Sequence, residues 1–218
     1  MRNLCIALFL AFAALGTTAW GRTSAPKLDD HVAAAVHRGD MAAVSEWIKS
    51  GANLNAQDDA GYTALFVAAV THHPDVMKLL LEKGADPNVE NDEKQTALHF
   101  AAMTGEMDVV KILLDKSAKV DGKDSKGETP LMYAVASGQA DMVKMFLAHG
   151  ANVNDTDNNN YTSLMAASAS GFTDIVKMLL DYHPNLDVKG SDGSTALSLA
   201  TSGDHADIAK MLRKHGAQ

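Results

Sequence analysis

The sequence predicts an all-α solenoid of about six stacked helix-turn-helix units. Three observations predict it. The chain repeats with a period of 33: Thr63, Thr96, Thr129, Thr162 and Thr195 are evenly spaced, as are Leu65, Leu98, Leu131, Leu164 and Leu197, while Ala35, Ala68, Ala101, Ala134, Ala167 and Ala200 carry the register through six units. Each period holds two apolar stretches at helical spacing, bracketed by residues that start and stop helices. Stability must come from packing alone, because Cys5 is the only cysteine, which excludes an intramolecular disulfide and a multi-cysteine zinc site. A unit of this length buries its apolar face only against a neighbour.

The unit at 124–156 shows why each element forms. Thr129 is a good N-cap, and Pro130 stands at the first helical position, where its missing N–H costs nothing. Leu131, Ala134 and Val135 follow at helical spacing, and Gly138 ends the helix. Asp141 opens a second helix, its charge facing the positive end of the macrodipole. Val143, Met145, Phe146 and Leu147 give that helix an apolar stripe, and Gly150 stops it in the left-handed conformation. Asn152-Val-Asn154 then leads into the next turn. The alanine column lets helices or neighbouring units approach closely.

Departures from this pattern are few. Lys94 and Asn160 replace the turn glycine, and the turn at Lys94 is expected to be less regular, since Asn tolerates positive φ better than Lys. Ser117 and His183 replace the glycine that ends the second helix, with Pro184 helping to stop the latter, and Gly203 arrives one residue early. The first unit lacks the Thr-x-Leu start and the last has no following turn, so both read as caps.

Thr96-Ala-Leu-His-Phe-Ala101, Thr129-Pro-Leu-Met-Tyr-Ala134, Leu79-Leu-Leu-Glu-Lys-Gly-Ala-Asp86 and Phe146-Leu-Ala-His-Gly-Ala-Asn-Val-Asn154 resemble the ankyrin repeat family. The resemblance covers residues 28–218. It implies an ankyrin-repeat solenoid with β-turn fingers, in units of about 28–57, 58–90, 91–123, 124–156, 157–189 and 190–218. It also implies a concave protein-binding groove, lined by turn tips and by the inner face of each first helix. Carried over by register, the tip positions are Asp59, Tyr62, Asp92, Glu93, Gln95, Lys126, Glu128, Asn158, Asn159 and Tyr161. The helix positions are Thr71, Met103, Thr104, Ser137 and Ser170. Tyr62 and Tyr161 are the expected anchors, because Tyr joins a large contact area to a polar tip. His99, at the family's T-x-L-H position, is expected to tie one turn to the next.

The N-terminus has a different character. Residues 1–3 are short and positive, residues 4–15 are uncharged and small or apolar, and Ala19-Trp-Gly21 offers small residues at the positions a signal peptidase reads. This is the layout of a cleaved secretory signal peptide at 1–21, followed by a linker at 22–27. The apolar run is short of the ~20 residues of a spanning helix, so the mature form is not expected to span a membrane. Periplasm is the expected compartment and extracellular secretion the second.

Chemistry leaves little trace. With 19 basic against 27 acidic residues the net charge is −8, which disfavours nucleic acid as a partner. No nucleophile elbow, zinc-protease helix or glycine-rich phosphate loop occurs. His72-His73-Pro74 is the only adjacent histidine pair and reads as a solvated loop. The stretch from Asp155 to Asn159 looks like a calcium loop but lacks its Gly and its bidentate Glu, Asn160 and Ala166 standing there instead. Five Asp-to-Lys pairs on the second helices, Asp75 with Lys78 the first, read as a solvated face. No catalytic residue, metal or cofactor is therefore expected. The expected function is an exported, non-enzymatic, monomeric binding protein whose protein partner presents a basic or mixed patch. An inhibitor or immunity protein blocking a toxin or enzyme is the alternative, and an enzyme with a site assembled across units is a third reading.

Overall fold

A computed structural model describes residues 27–218. The expected signal segment, and the linker up to residue 26, lie outside the described residues. Twelve helices follow in pairs. They are α1 (Asp30–His37) and α2 (Met41–Lys49), α3 (Ala64–Val70) and α4 (Pro74–Glu82), and α5 (Ala97–Thr104) and α6 (Met107–Asp115). Then come α7 (Pro130–Ala136) and α8 (Ala140–Ala148), α9 (Ser163–Ser170) and α10 (Thr173–Leu180), and α11 (Ala196–Ser202) and α12 (Ala206–Lys214). First helices stack on first helices from α1 to α11, and second helices on second helices, α2 on α4 on α6 and α8 on α10 on α12. The fold is the all-α repeat solenoid the periodicity predicts.

The threonine column starts the first helices. Thr63, Thr129, Thr162 and Thr195 accept the N–H three residues on, at 3.1–3.4 Å. The alanine column is buried in every unit, and Leu65, Leu98, Leu131 and Leu164 are no more than 1% exposed. Leu197, in the last described unit, is half-buried. From the second helices, Met77, Leu80, Leu113, Phe146 and Leu179 complete one continuous core.

Two backbone ladders link the units. Asn55, Asn88, Asp121 and Asn154 each accept a backbone N–H from the next unit, at 2.7–3.0 Å. At the tips, Ser125, Asn158 and Ser191 donate their N–H groups to Glu93, Lys126 and Asn159 carbonyls, each at 2.8 Å. Gly61 shows how close the tips come: a Cβ there would lie 2.8 Å from the Asn91 Cα.

The expected irregularity at Lys94 does not occur. Lys94 takes φ 59, and its N–H closes the turn onto the Asn91 carbonyl at 2.9 Å, as Gly127 does onto Asp124 at 3.0 Å. Inter-unit contacts on both sides hold the turn, so the lysine absorbs the cost of the left-handed region, about 1–2 kcal/mol. Ser117, Asn160 and His183 adopt the same conformation. In the last unit Asp204, not the early Gly203, takes the left-handed position.

His99 ties turns together as expected. Its Nδ1 accepts the Thr96 N–H at 3.1 Å, so Nε2 carries the proton and donates to the Gly122 and Glu128 carbonyls at 3.0 and 3.3 Å. Burial lowers its pKa below the ordinary 6.5, against the opposing pull of Asp124 and the two carbonyls.

Two outcomes follow from this packing. Leu131→Ala, made at a site 1% exposed, should cost about 2–5 kcal/mol in urea denaturation; a change within about 0.5 kcal/mol would mean the column is not core. For His99, the unfolded chain takes up the proton first. Its contribution is therefore complete above the ordinary pKa of 6.5 and is lost as pH falls through and below it. The denaturation midpoint of the wild type should drop more steeply than that of His99→Gln between about pH 7 and pH 5. Parallel curves would refute a neutral buried imidazole.

Candidate partner-binding face

Four of the five tips are each built around one Asx side chain, Gly190 holding that position in the fifth. Asp58, Asn91, Asp124 and Asp157 each accept two backbone N–H groups through Oδ1, two and four residues on, at 2.8–3.0 Å. The second donor of each pair is Tyr62, Gln95, Glu128 or Tyr161. These four side chains are half-buried and stand where the tip meets the first helix. Beyond them, Asp59, Asp92, Glu93, Lys126, Asn158 and Asn159 are exposed.

Below the tips lies an aromatic floor. The Tyr62 and Phe66 rings stack with centroids 4.4 Å apart, and Phe66 meets Phe100 edge-on at 4.7 Å. The Tyr133 ring stands edge-on to His99 at 5.7 Å. Its hydroxyl donates to Asp124 Oδ2 at 2.9 Å and accepts from Gln95 Nε2 at 2.9 Å. Burial raises the Tyr133 pKa strongly, and the hydrogen bond to Asp124 adds to it, so the phenol stays protonated. Phe100 and Tyr133 are half-buried, whereas Phe66 is buried at 3%.

At the far ends of the first helices the face becomes polar. Thr71 and Thr104 are tied to their own helices, accepting carbonyls being Val67 at 2.8 Å and Phe100 at 2.9 Å. Ser137 reaches the Met103 carbonyl of the preceding unit at 3.3 Å. Met103 is half-buried, and Ser170 is exposed.

The predicted anchors have intramolecular roles as well. Tyr161 donates its hydroxyl to Asp192 Oδ2 at 2.7 Å and lies 2.8 Å from the Ser194 Oγ. Hydrogen bonds from Ser194 and Tyr161 bring the exposed Asp192 carboxyl down to about 2. Tyr62 packs against the core through Phe66. Asp59 pairs with Lys27, which removes one charge from the acidic tip set. Glu128 is held above the ordinary carboxylate range by burial and then by the nearby Asp124 charge. Sequence reasoning missed Phe66, Phe100 and Tyr133. Their signal was present: aromatic residues at helix positions on the tip side of the alanine column.

Other candidate chemistry is used up by the fold. Asp157 caps its own tip, and Asp155 lies 3.8 Å from Lys123, so no calcium loop forms from residues 155–159. Of the five Asp-to-Lys pairs, only Asp75–Lys78 closes, at 4.0 Å. His73 leaves its neighbour and donates from Nε2 to the His37 carbonyl at 2.9 Å.

Comparisons with known proteins agree with this architecture. A family profile described as ankyrin repeats (3 copies) matches residues 26–91, 83–157 and 152–218. Among solved structures, an ankyrin repeat domain from Acinetobacter baumannii AYE is similar, with a TM-score of 0.81 and 26% identity over 86% of this chain and 98% of that one. A search of curated proteins found no match. With the period, the capped helix pairs and the tip turns in the register of that profile along the described array, the chain belongs to the ankyrin repeat family.

Proposed function

We propose that this chain is an exported, monomeric, non-enzymatic binding protein that recognises a protein partner through its tips and first helices. Ankyrin repeats are generally protein-interaction modules, and the fold is typically a non-catalytic scaffold. The observation that carries the reading is the pairing of a rigid scaffold with variable side chains. Tip backbones are fixed by Asx caps and inter-unit hydrogen bonds. The exposed side chains they present differ from unit to unit, Glu93, Lys126 and Asn159 standing at one register position. Preorganised backbone lowers the ordering cost of association. Half-buried Tyr62, Phe100 and Tyr133 supply apolar area, with acidic Asp92, Glu93 and Glu128 around them. Such a surface fits a partner with a basic or mixed patch, and binding should weaken as salt rises.

Export rests on the uncharged run at 4–15 and the small residues at Ala19 and Gly21. Among the described residues no helix is long and apolar enough to cross a membrane.

Photo-crosslinking amino acids placed at Glu93 and Asn158 should give salt-sensitive adducts in envelope extracts, whereas the same probe at Lys111 and Lys144 on α6 and α8 should give none. The reverse pattern would assign the opposite face. N-terminal sequencing of the exported product should begin near Arg22; an intact Met1 in the membrane fraction would refute cleavage.

A further inference from the structure

The turn after α3 departs from its column. At the register position of His72 stand Gly39, Gly105, Gly138, Gly171 and Asp204, all left-handed, and His72 holds φ 59 among them. Its imidazole reaches into the next unit. Nδ1 lies 2.8 Å from Glu106 Oε2, and Nε2 lies 3.6 Å from Asp108 Oδ2. Glu106 is the N-cap of α6 and Asp108 lies in its first turn. One donor atom from each of the three residues falls within 4.8 Å of the other two.

Neighbouring junctions show what the position of Glu106 does elsewhere. His73, Gln139 and His205 each donate from a side-chain nitrogen to the preceding first helix, reaching the His37, Met103 and Ala169 carbonyls at 2.9, 3.0 and 3.1 Å. A carboxylate has no proton to donate to a carbonyl. Glu106 is therefore free of that duty and faces His72. No lysine or arginine among the described residues closes on Glu106 or Asp108. Two carboxylates against one imidazole leave excess negative charge, more than the roughly +0.5 charge of the α6 N-terminus offsets.

We infer that His72, Glu106 and Asp108 form a site for a divalent transition metal ion of the zinc class, bridging the second and third units. One imidazole nitrogen and two carboxylate oxygens suit zinc, which takes both donor types at about 2.0–2.2 Å and leaves a fourth position to water. Calcium wants six to eight oxygens, and magnesium keeps an octahedral oxygen shell. The His72 and Asp108 side chains are 48% and 54% exposed, so side-chain rotation suffices to bring the third ligand in. Other junctions lack the set: they place Gly39 with His73 and Asp75, Gly105 with Gln139 and Asp141, Gly138 with Phe172 and Asp174, and Gly171 with His205 and Asp207. One site per chain follows.

The test is calorimetric titration of zinc into the untagged, metal-free full chain in a non-coordinating buffer. One zinc per chain should bind, raising the melting temperature, and excess magnesium or calcium should not compete. His72→Gly restores the residue of the column, so it should melt at least as high as the wild type without metal. It should weaken zinc binding by more than about tenfold. Asp108→Asn, which keeps the shape and removes the charge, should also weaken it. No zinc binding, or binding unchanged in His72→Gly, would overturn the site. So would binding lost only on replacing His183 and His215, which line a separate shallow pocket with Leu180, Pro184 and Leu186.

Discussion

Close approach of one first helix to the next governs this molecule. Ala35, Ala68, Ala101, Ala134, Ala167 and Ala200 present only a methyl group at that contact and are buried in every unit. With the helices this near, the leucine column joins residues of the second helices in one continuous core. The same spacing brings tip backbones within 2.8 Å, so the inter-unit hydrogen bonds are consequences of the helix contact. A larger residue in the alanine column would push the units apart and break the ladders with the core.

That stacking also explains why the chain tolerates costly backbone. His72, Lys94, Ser117, Asn160, His183 and Asp204 all hold φ between 51 and 64 at positions where other units use glycine. The Lys94 turn is pinned on both sides, the Asp92 N–H donating to the Ala60 carbonyl at 3.4 Å and the Glu93 carbonyl accepting the Ser125 N–H at 2.8 Å. Inter-unit burial outweighs a local cost of about 1–2 kcal/mol, and the register is kept. Steric room matters more: at Gly61 a side chain would run into the Asn91 backbone.

What the sequence revealed follows from the same constraint. Columns that repeat are columns the stacking demands, so Thr129, Leu131, Ala134 and Gly150 could be assigned to cap, core, contact and stop from spacing alone. His99 was legible through its motif, and its proton could be placed only once the Thr96 N–H was seen on Nδ1. The candidate face was legible as a list of variable positions. Its aromatic floor was not, because Phe66, Phe100 and Tyr133 sit on a helix whose period reads as scaffold. Nor was the tie between Tyr161 and Asp192, whose partners are 31 residues apart. His72 invited pairing with His73 by adjacency, yet the left-handed turn sends the two rings to opposite neighbours.

Variable positions therefore divide by what the neighbouring unit offers them. Where it offers a hydrogen-bond partner, as Gln95 does for Tyr133, the variable side chain stiffens the array. Where it offers none, as for Glu93 and Asn159, the side chain faces solvent from a backbone that does not move with it. Where two carboxylates of one unit meet one imidazole of the preceding unit, as Glu106 and Asp108 meet His72, the junction carries charge that a single imidazole does not balance. Repeat architecture makes these differences independent of one another. A substitution at one tip leaves the register of the rest intact, because each unit contacts only its neighbours. Surface side chains can then differ unit by unit while the alanine and leucine columns hold the frame.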